Sequence, residues 1–323
     1  MRISVSLFTL GAAACLSAVT TFAQQSDRDE RGQENPIIGH PMNPSFENGG
    51  GRASRGFSPT AGSTGVILPN ITYHGGQVMT TPTVYLIWYG NWAQTNGTDN
   101  AIGQTIVRDF LFGLSNSGYF KINTSYGAPT GLVNVGAEYA DNYSLGARLS
   151  DSNVRSIVSN TINGGKLPRD TNGLYFVLTS SDVAESSGFC TKYCGWHTAG
   201  SIAGSTLKYS FVGNSARCLS GCAAQATGPN GNAGIDGMLS VLAHELEETV
   251  SDPLPASGWA DSQGAENGDK CAWTFGANPK TAANGAFYNM TLPAKSQATR
   301  NYLIQRNLDA NSVCYVDYIT KTQ

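Results

Sequence analysis

Charge is scarce in this chain: Asp, Glu, Lys and Arg make up 13% of its residues, about half the usual share of ~25%. The net charge of -3 offers no basic footprint, so nucleic acid is not an expected partner. Histidine is scarcer still, with four in all, so His40, His74, His197 and His244 are the whole supply of imidazole. Beyond the first residues no apolar run approaches the ~18 needed to span a membrane. No Ser-His-Asp spacing, phosphate-binding loop or haem motif is present.

What the chain does have begins at its N-terminus. Met1-Arg2, an apolar run from Ile3 to Val19 and the small-residue site Thr21-Phe22-Ala23 read as a secretory signal peptide over residues 1–23, which implies a secreted, extracellular protein. An alternative lipid anchor at Cys15 is the weaker reading, because Ala12 stands where an aliphatic residue is needed. Residues 24–66 are rich in Gly, Ser, Pro and charge, too poor in apolar groups to pack a core, and read as a flexible leader or pro-segment. His40 within it reads as solvated. Residues 67–323 are expected to form a single domain. After Cys15 six cysteines remain, Cys190, Cys194, Cys218, Cys222, Cys271 and Cys314. In an exported chain they imply three disulfides whose pairing the spacing leaves open. A four-thiolate zinc site from the two C-x-x-x-C pairs competes, but an oxidising compartment disfavours it.

Within the domain, "TVYLIWYG" (83–90), "GLYFVLTS" (173–180) and "LKYSFVG" (207–213) are aromatic and β-branched runs of buried-strand type. Between them, residues 99–114 place Ile102, Ile106, Phe110 and Leu114 at four-residue steps, and 150–162 repeat the pattern more briefly; both predict amphipathic helices. Strands alternating with helices imply an α/β fold, a mixed sheet packed against helices, loop-rich because glycine is abundant.

The chemistry concentrates in "VLAHELEETVSDP" (241–253). Asp236 is expected to cap a helix from about Gly237 to Ser251, ended by Pro253. Ile235, Met238, Leu239, Leu242, Leu246 and Val250 form its apolar stripe, with His244 and Glu248 opposite and one turn apart, close enough to share one metal ion. The protease signature H-E-x-x-H would need histidine at 248, but zinc also accepts carboxylate oxygen. The third ligand must come from elsewhere. Glu266, in "GWADSQGAENGDKCAW" (258–273), is favoured over Asp252, with Asp261 and Asp269 in the same loop. Zinc, or another divalent ion, would acidify a water and polarise a carbonyl while Glu245 acts as general base. His197 in "CTKYCGWH" is a candidate to orient substrate, stabilise an oxyanion or act as ligand, against a structural role in a tight loop. His74 reads as a core or turn residue. Against all of this stands the bland reading that residues 244–248 are a solvated acidic face.

Six ordered stretches, "ITYHGG" (71–76), "VYLIWYGNW" (84–92), "RDFL" (108–111), "FCTKYCGWH" (189–197), "FVGNSARCLSGC" (211–222) and "GPNGNAGIDGM" (228–238), resemble the EXORDIUM or phosphate-induced protein family of plants. The resemblance implies a secreted protein of the cell wall or apoplast, connected with growth responses and without a settled biochemical activity. After the Asp-Gly-Met the plant members continue with an apolar helix that lacks the His and Glu residues, whereas "HELEETVSDP" here looks like a zincin-type pattern. Two functions follow. One is a zincin-like metal-dependent hydrolase acting on a peptide or cell-wall polymer. The other is a non-catalytic extracellular protein that binds glycans or a signalling partner through tryptophans 88, 92, 196, 259 and 273, if any of them line a groove.

Overall fold

The computed structural model describes residues 70–323 throughout, and before them the backbone of three short strands, Ser26–Arg28, Glu34–Pro36 and Ile38–Pro41. The signal-peptide reading and the solvation of the His40 side chain lie outside the described residues.

The aromatic and β-branched runs form the centre of a six-stranded sheet. Its strands are β1 (Ile38–Pro41), β2 (Thr83–Tyr89), β3 (Asn134–Asp141), β4 (Gly173–Thr179), β5 (Tyr193–Ile202) and β6 (Ser205–Gly213), in the spatial order β1-β5-β6-β4-β2-β3. β6, β4, β2 and β3 run parallel, while β5 and β1 add antiparallel pairs at one side. Parallel strands are covered on both faces, which is why every residue of β4 is buried. β1 departs from expectation, because the leader, too polar to pack a core, nonetheless supplies a strand to the sheet.

Helix α1 (Ala101–Leu114) starts at Asn100, whose side chain accepts the Gly103 N–H, and α2 (Asp151–Asn163) starts in a capping box between Ser150 and Asn153. In α1 the buried stripe is Ile106, Val107, Phe110, Leu111 and Leu114, and Ile102 is 69% exposed. A four-residue step overshoots a helical turn by about 40°, so a strict series drifts off the core face. Helix α3 (Ala233–Ser251) begins earlier than expected, because Asn232 is the cap, its side chain accepting the Ile235 N–H at 3.2 Å. Asp236, the expected cap, lies in the first turn and accepts from the Asn230 backbone and side chain. Every residue from Gly234 to Ser251 is buried. α3 therefore runs through the interior, packed against β5, β6 and α1.

The cysteines pair as Cys190–Cys218, Cys194–Cys222 and Cys271–Cys314, which removes the four-thiolate site. The first two rivet the start of β5 to the segment after β6; the loop lengths of 28 residues correspond to about 3–4 kcal/mol each in the chain-entropy picture. None of the five tryptophans is exposed. Trp88, Trp92 and Trp196 are in the core, and Trp259 and Trp273 are half-buried, which leaves only the last two able to line a groove. His74 is exposed, its Nε2 3.1 Å from the Ala260 carbonyl in a small ribbon. Among the described residues no helix is long and apolar enough to cross a membrane.

Asp109 on α1 ties that helix to the hairpin of residues 290–302. It accepts the N–H groups of Lys295 and Ser296 at 2.9 and 3.0 Å and Arg300 Nε at 2.7 Å. Burial alone would raise its pKa, but the bonds from Ser296 and Arg300 win and hold it below the ordinary 3.8. A carboxylate with a depressed pKa contributes stability that is present above 3.8 and lost as pH falls through the folded value. Asp109→Asn should cost about 2–4 kcal/mol at pH 7 and flatten the loss of stability below pH ~4, read from urea unfolding at pH 7 and pH 3. An unchanged acid slope in the variant would refute the assignment.

Candidate metal centre

Helical geometry sets the first pair. His244 Nε2 and Glu248 Oε1, one turn apart on α3, are 2.8 Å from each other. The sheet delivers the second imidazole from β5, where His197 Nδ1 lies 3.0 Å from Glu245 Oε2 and 3.5 Å from Glu248 Oε2. The loop after α3 folds back and closes the group. Its single helical turn α4 (Asn267–Lys270) puts Asp269 Oδ1 3.6 Å from His244 Nε2, and the Asp269 N–H donates to Glu248 Oε1 at 3.1 Å. Glu266, just before α4, reaches the far side, with Oε2 3.4 Å from His197 Nε2. The side chains of His197, His244, Glu245, Glu248 and Glu266 are all 0% exposed, and that of Asp269 is 20% exposed. The solvated acidic face is therefore ruled out.

Two triads have ligand atoms within 4.8 Å of one another, His197/Glu245/Glu248 and His244/Glu248/Asp269. Glu248 belongs to both and turns one oxygen to each. The six side chains come from β5, α3 and the α4 loop, whose positions relative to each other are set by close approach. A Cβ on Gly268 would lie 2.9 Å from both Glu248 Oε1 and His244 Nδ1, and one on Gly195 would meet Val241 Cγ1 at 2.6 Å. Only glycine lets α4 and β5 press this closely on α3. Cys271, directly after α4, is tied to Cys314, and the Gln305 amide nitrogen is 2.5 Å from His244 Nδ1.

Of the other predicted residues, Asp252 caps the turn after α3. Its carboxylate accepts the N–H groups of Ala256 at 2.7 Å, Ser257 at 3.1 Å and Gly258 at 2.7 Å, while its charge also bears on Glu266. Asp261 lies apart, bonded to Lys270 and to its own loop. Asp269, one of the lesser candidates in the sequence, is the loop acid nearest the His244–Glu248 pair. Glu247 points elsewhere, accepting from Asn307 Nδ2 at 2.9 Å; burial pushes its carboxyl well above the ordinary range, and its place outside the cluster makes it structural. Its partners are distant in sequence, and no local signal marked it.

The electrostatics of the group are unbalanced. Burial alone would lower both imidazoles, but the carboxylates of Glu245 and Glu248 raise His197 to about 9, and Glu248 and Asp269 raise His244 well above its usual value. Glu248 is pushed up by burial yet drawn down further by His244 and His197. Glu245 is raised, burial outweighing its bond to His197. Glu266 is forced well up by burial and by the carboxylates of Glu248, Asp252 and Asp269. Four carboxyl groups face two imidazoles, and burial together with their mutual repulsion means that the surplus acids must be met by protons or by a shared cation. Among the described residues, His197 Nε2, Glu248 Oε2 and both oxygens of Glu266 are buried without a hydrogen bond. Buried ligand atoms left unbonded are costly unless a cation or proton joins them.

The fold and site define a disulfide-braced α/β protein with a buried histidine–carboxylate centre on the longest of its described helices. Its family is clear from comparison. The phosphate-induced protein 1 conserved region matches residues 71–315, so the chain belongs to the EXORDIUM/phosphate-induced protein family. It is 31% identical to Protein EXORDIUM-like 3 of Arabidopsis thaliana over 312 residues, covering 83% of this chain and 88% of that one. It is 32% identical to Protein EXORDIUM-like 5 of the same plant over 65% of this chain and 66% of the relative, and 28% identical to Protein PHOSPHATE-INDUCED 1 of Nicotiana tabacum over 76% and 87%. No solved structure is significantly similar to the chain.

The glycine contact gives a direct test. Gly268→Ala should cost about 1–3 kcal/mol by overpacking, measured as a fall in the denaturant midpoint. A variant as stable as the parent would show that α4 does not press on His244 and Glu248 as described.

Proposed function

We propose that this chain is an exported metal-dependent hydrolase, acting on peptides, in which α3 serves as a zincin-like active-site helix. The observation that carries the reading is the convergence of two imidazoles and four carboxyl groups, all fully buried except the part-exposed Asp269, with ligand atoms of His197, Glu248 and Glu266 making no hydrogen bond. Mixed imidazole and carboxylate donors suit zinc, or another divalent ion of similar preference. His244, Glu248 and Asp269 fit as the set that holds the ion. Glu266, with two oxygens that no hydrogen bond uses, is the further acid most in need of a cation. The apolar N-terminal run and the three disulfides support export.

A bound zinc-class ion supplies Lewis-acid chemistry, polarising a carbonyl and making water easier to deprotonate. The rest falls to the chain's own residues. Glu245 is held in place by His197 Nδ1 at 3.0 Å and, with its affinity for protons raised by burial, is suited to take a proton and return it to a leaving group. His197, fixed between Glu245 and Glu266, orients that base and balances its charge. Glu248, as an anionic donor, would neutralise more of a bound ion's charge than imidazole would and so weaken the Lewis acidity the ion could supply.

One observation favours a second reading. Apart from Asp269, which is 20% exposed, the side chains of the centre are fully buried, as those around a structural ion in a non-catalytic wall protein would be. Elemental analysis of the purified full chain should find about one divalent metal per molecule, lost in His244→Ala; folded wild type that is metal-free and indifferent to chelators would overturn the metal centre. Glu245→Gln should keep the metal and lose at least ~100-fold in turnover of a general protein substrate. Metal-loaded wild type without turnover would favour the structural ion.

A further inference from the structure

The leader is not simply appended to the domain. Its strand β1 pairs antiparallel with β5 and places Ile38 opposite His197, Gly39 opposite Trp196, His40 opposite Gly195 and Pro41 opposite Tyr193. The backbone of β1 also runs close to α3 and α4, and Glu34–Pro36 lies near β5. β1 is the outermost strand on that side, so without it the backbone edge of β5 beside His197 would be open.

Several features mark β1 as a weakly held strand. It is four residues long, has glycine at its second position and ends in proline, and both residue types are depleted in strands. The register shifts between Tyr193 and Gly195, an irregularity of the kind that recurs beside functional sites. At Gly195 β5 presses on α3, since an added Cβ would meet Val241 Cγ1 at 2.6 Å and would lie 3.4 Å from Glu245 Oε1. A chain lying along this edge therefore passes next to the residues of the buried centre.

We propose that the free edge of β5 over Gly195–His197 is a binding site for an extended polypeptide, recognised by strand addition, and that residues 38–41 of the leader occupy it in the intact chain. Backbone hydrogen bonds supply the affinity in this mode, so the ligand is defined by its extended conformation and antiparallel direction. That this polypeptide is the substrate rests on the metal-hydrolase reading above. The leader then acts as a built-in competitor, lying where substrate would lie and helping to close the centre.

The test uses the full-length chain with Gly39→Pro and His40→Pro. Of two adjacent residues in an edge strand, one N–H faces the neighbouring strand and the other faces away. One of the two substitutions therefore removes a ladder donor to β5, and a folding defect in either leaves the other to decide. The probe is a fluorescent peptide spanning Glu34–Pro41, with a scrambled peptide as control. At least one variant should exchange the amides of Gly195–His197 about ten-fold faster than wild type and bind the probe at least ten-fold more tightly, with protection restored on binding. Equal binding by wild type and both variants, or binding of the scrambled peptide as tightly, would overturn the site. Metal is measured in the same samples. Metal retained without strand binding would overturn this inference alone, whereas strand binding without metal would sustain the edge site and remove its role in hydrolysis.

Discussion

Everything in this protein is arranged around negative charge that has been taken out of water. A helix buried on every side carries His244, Glu245, Glu247 and Glu248 within five positions, and the interior cannot hold such a group unless its charges are paired, protonated or shared with a cation. Burial pushes Glu247 towards its protonated form, and the others are paired. What remains is a group in which carboxyls outnumber imidazoles, a surplus to be met by protons or by a shared cation.

The fold meets that demand by bringing in matching groups from both sides. The antiparallel pair β5–β6 carries His197 over α3, and two disulfides hold the start of β5 against the segment that follows β6. On the other side α4 is pressed against His244 and Glu248 through Gly268, with Cys271 anchoring the next residues to Cys314. Asp252 stops α3 and shapes the turn that sends the chain back towards it. These braces constrain the unfolded chain as well as the native one, which helps a molecule poor in charge and rich in glycine to hold a strained cluster together.

Membership of the EXORDIUM/phosphate-induced family is settled by a match that spans residues 71–315, and the names of its relatives carry no chemistry. Function here has to be argued from the site, since a shared fold does not transfer activity. The enclosed centre and the leader strand beside it belong to one physical arrangement, in which the same sheet edge that positions His197 also accepts the leader.

Strands β2, β4 and β6, the helices around 101–114 and 151–163, and the one-turn spacing of His244 and Glu248 were legible in the residues alone, because each depends on periodicities that a short segment carries within itself. The family was legible too, through ordered motifs. Asn232 displaced Asp236 as the cap because the chain beyond a helix end decides its boundary, and Ile102 fell off the core face because a strict four-residue series drifts around the helix. The pairing of the cysteines, the approach of His197, the preference for Asp269 beside His244, the burial of Glu247 and the addition of β1 to the sheet all join residues far apart in sequence. Their geometry is set by how whole elements pack, at glycines where side chains would collide, and no local pattern encodes that distance.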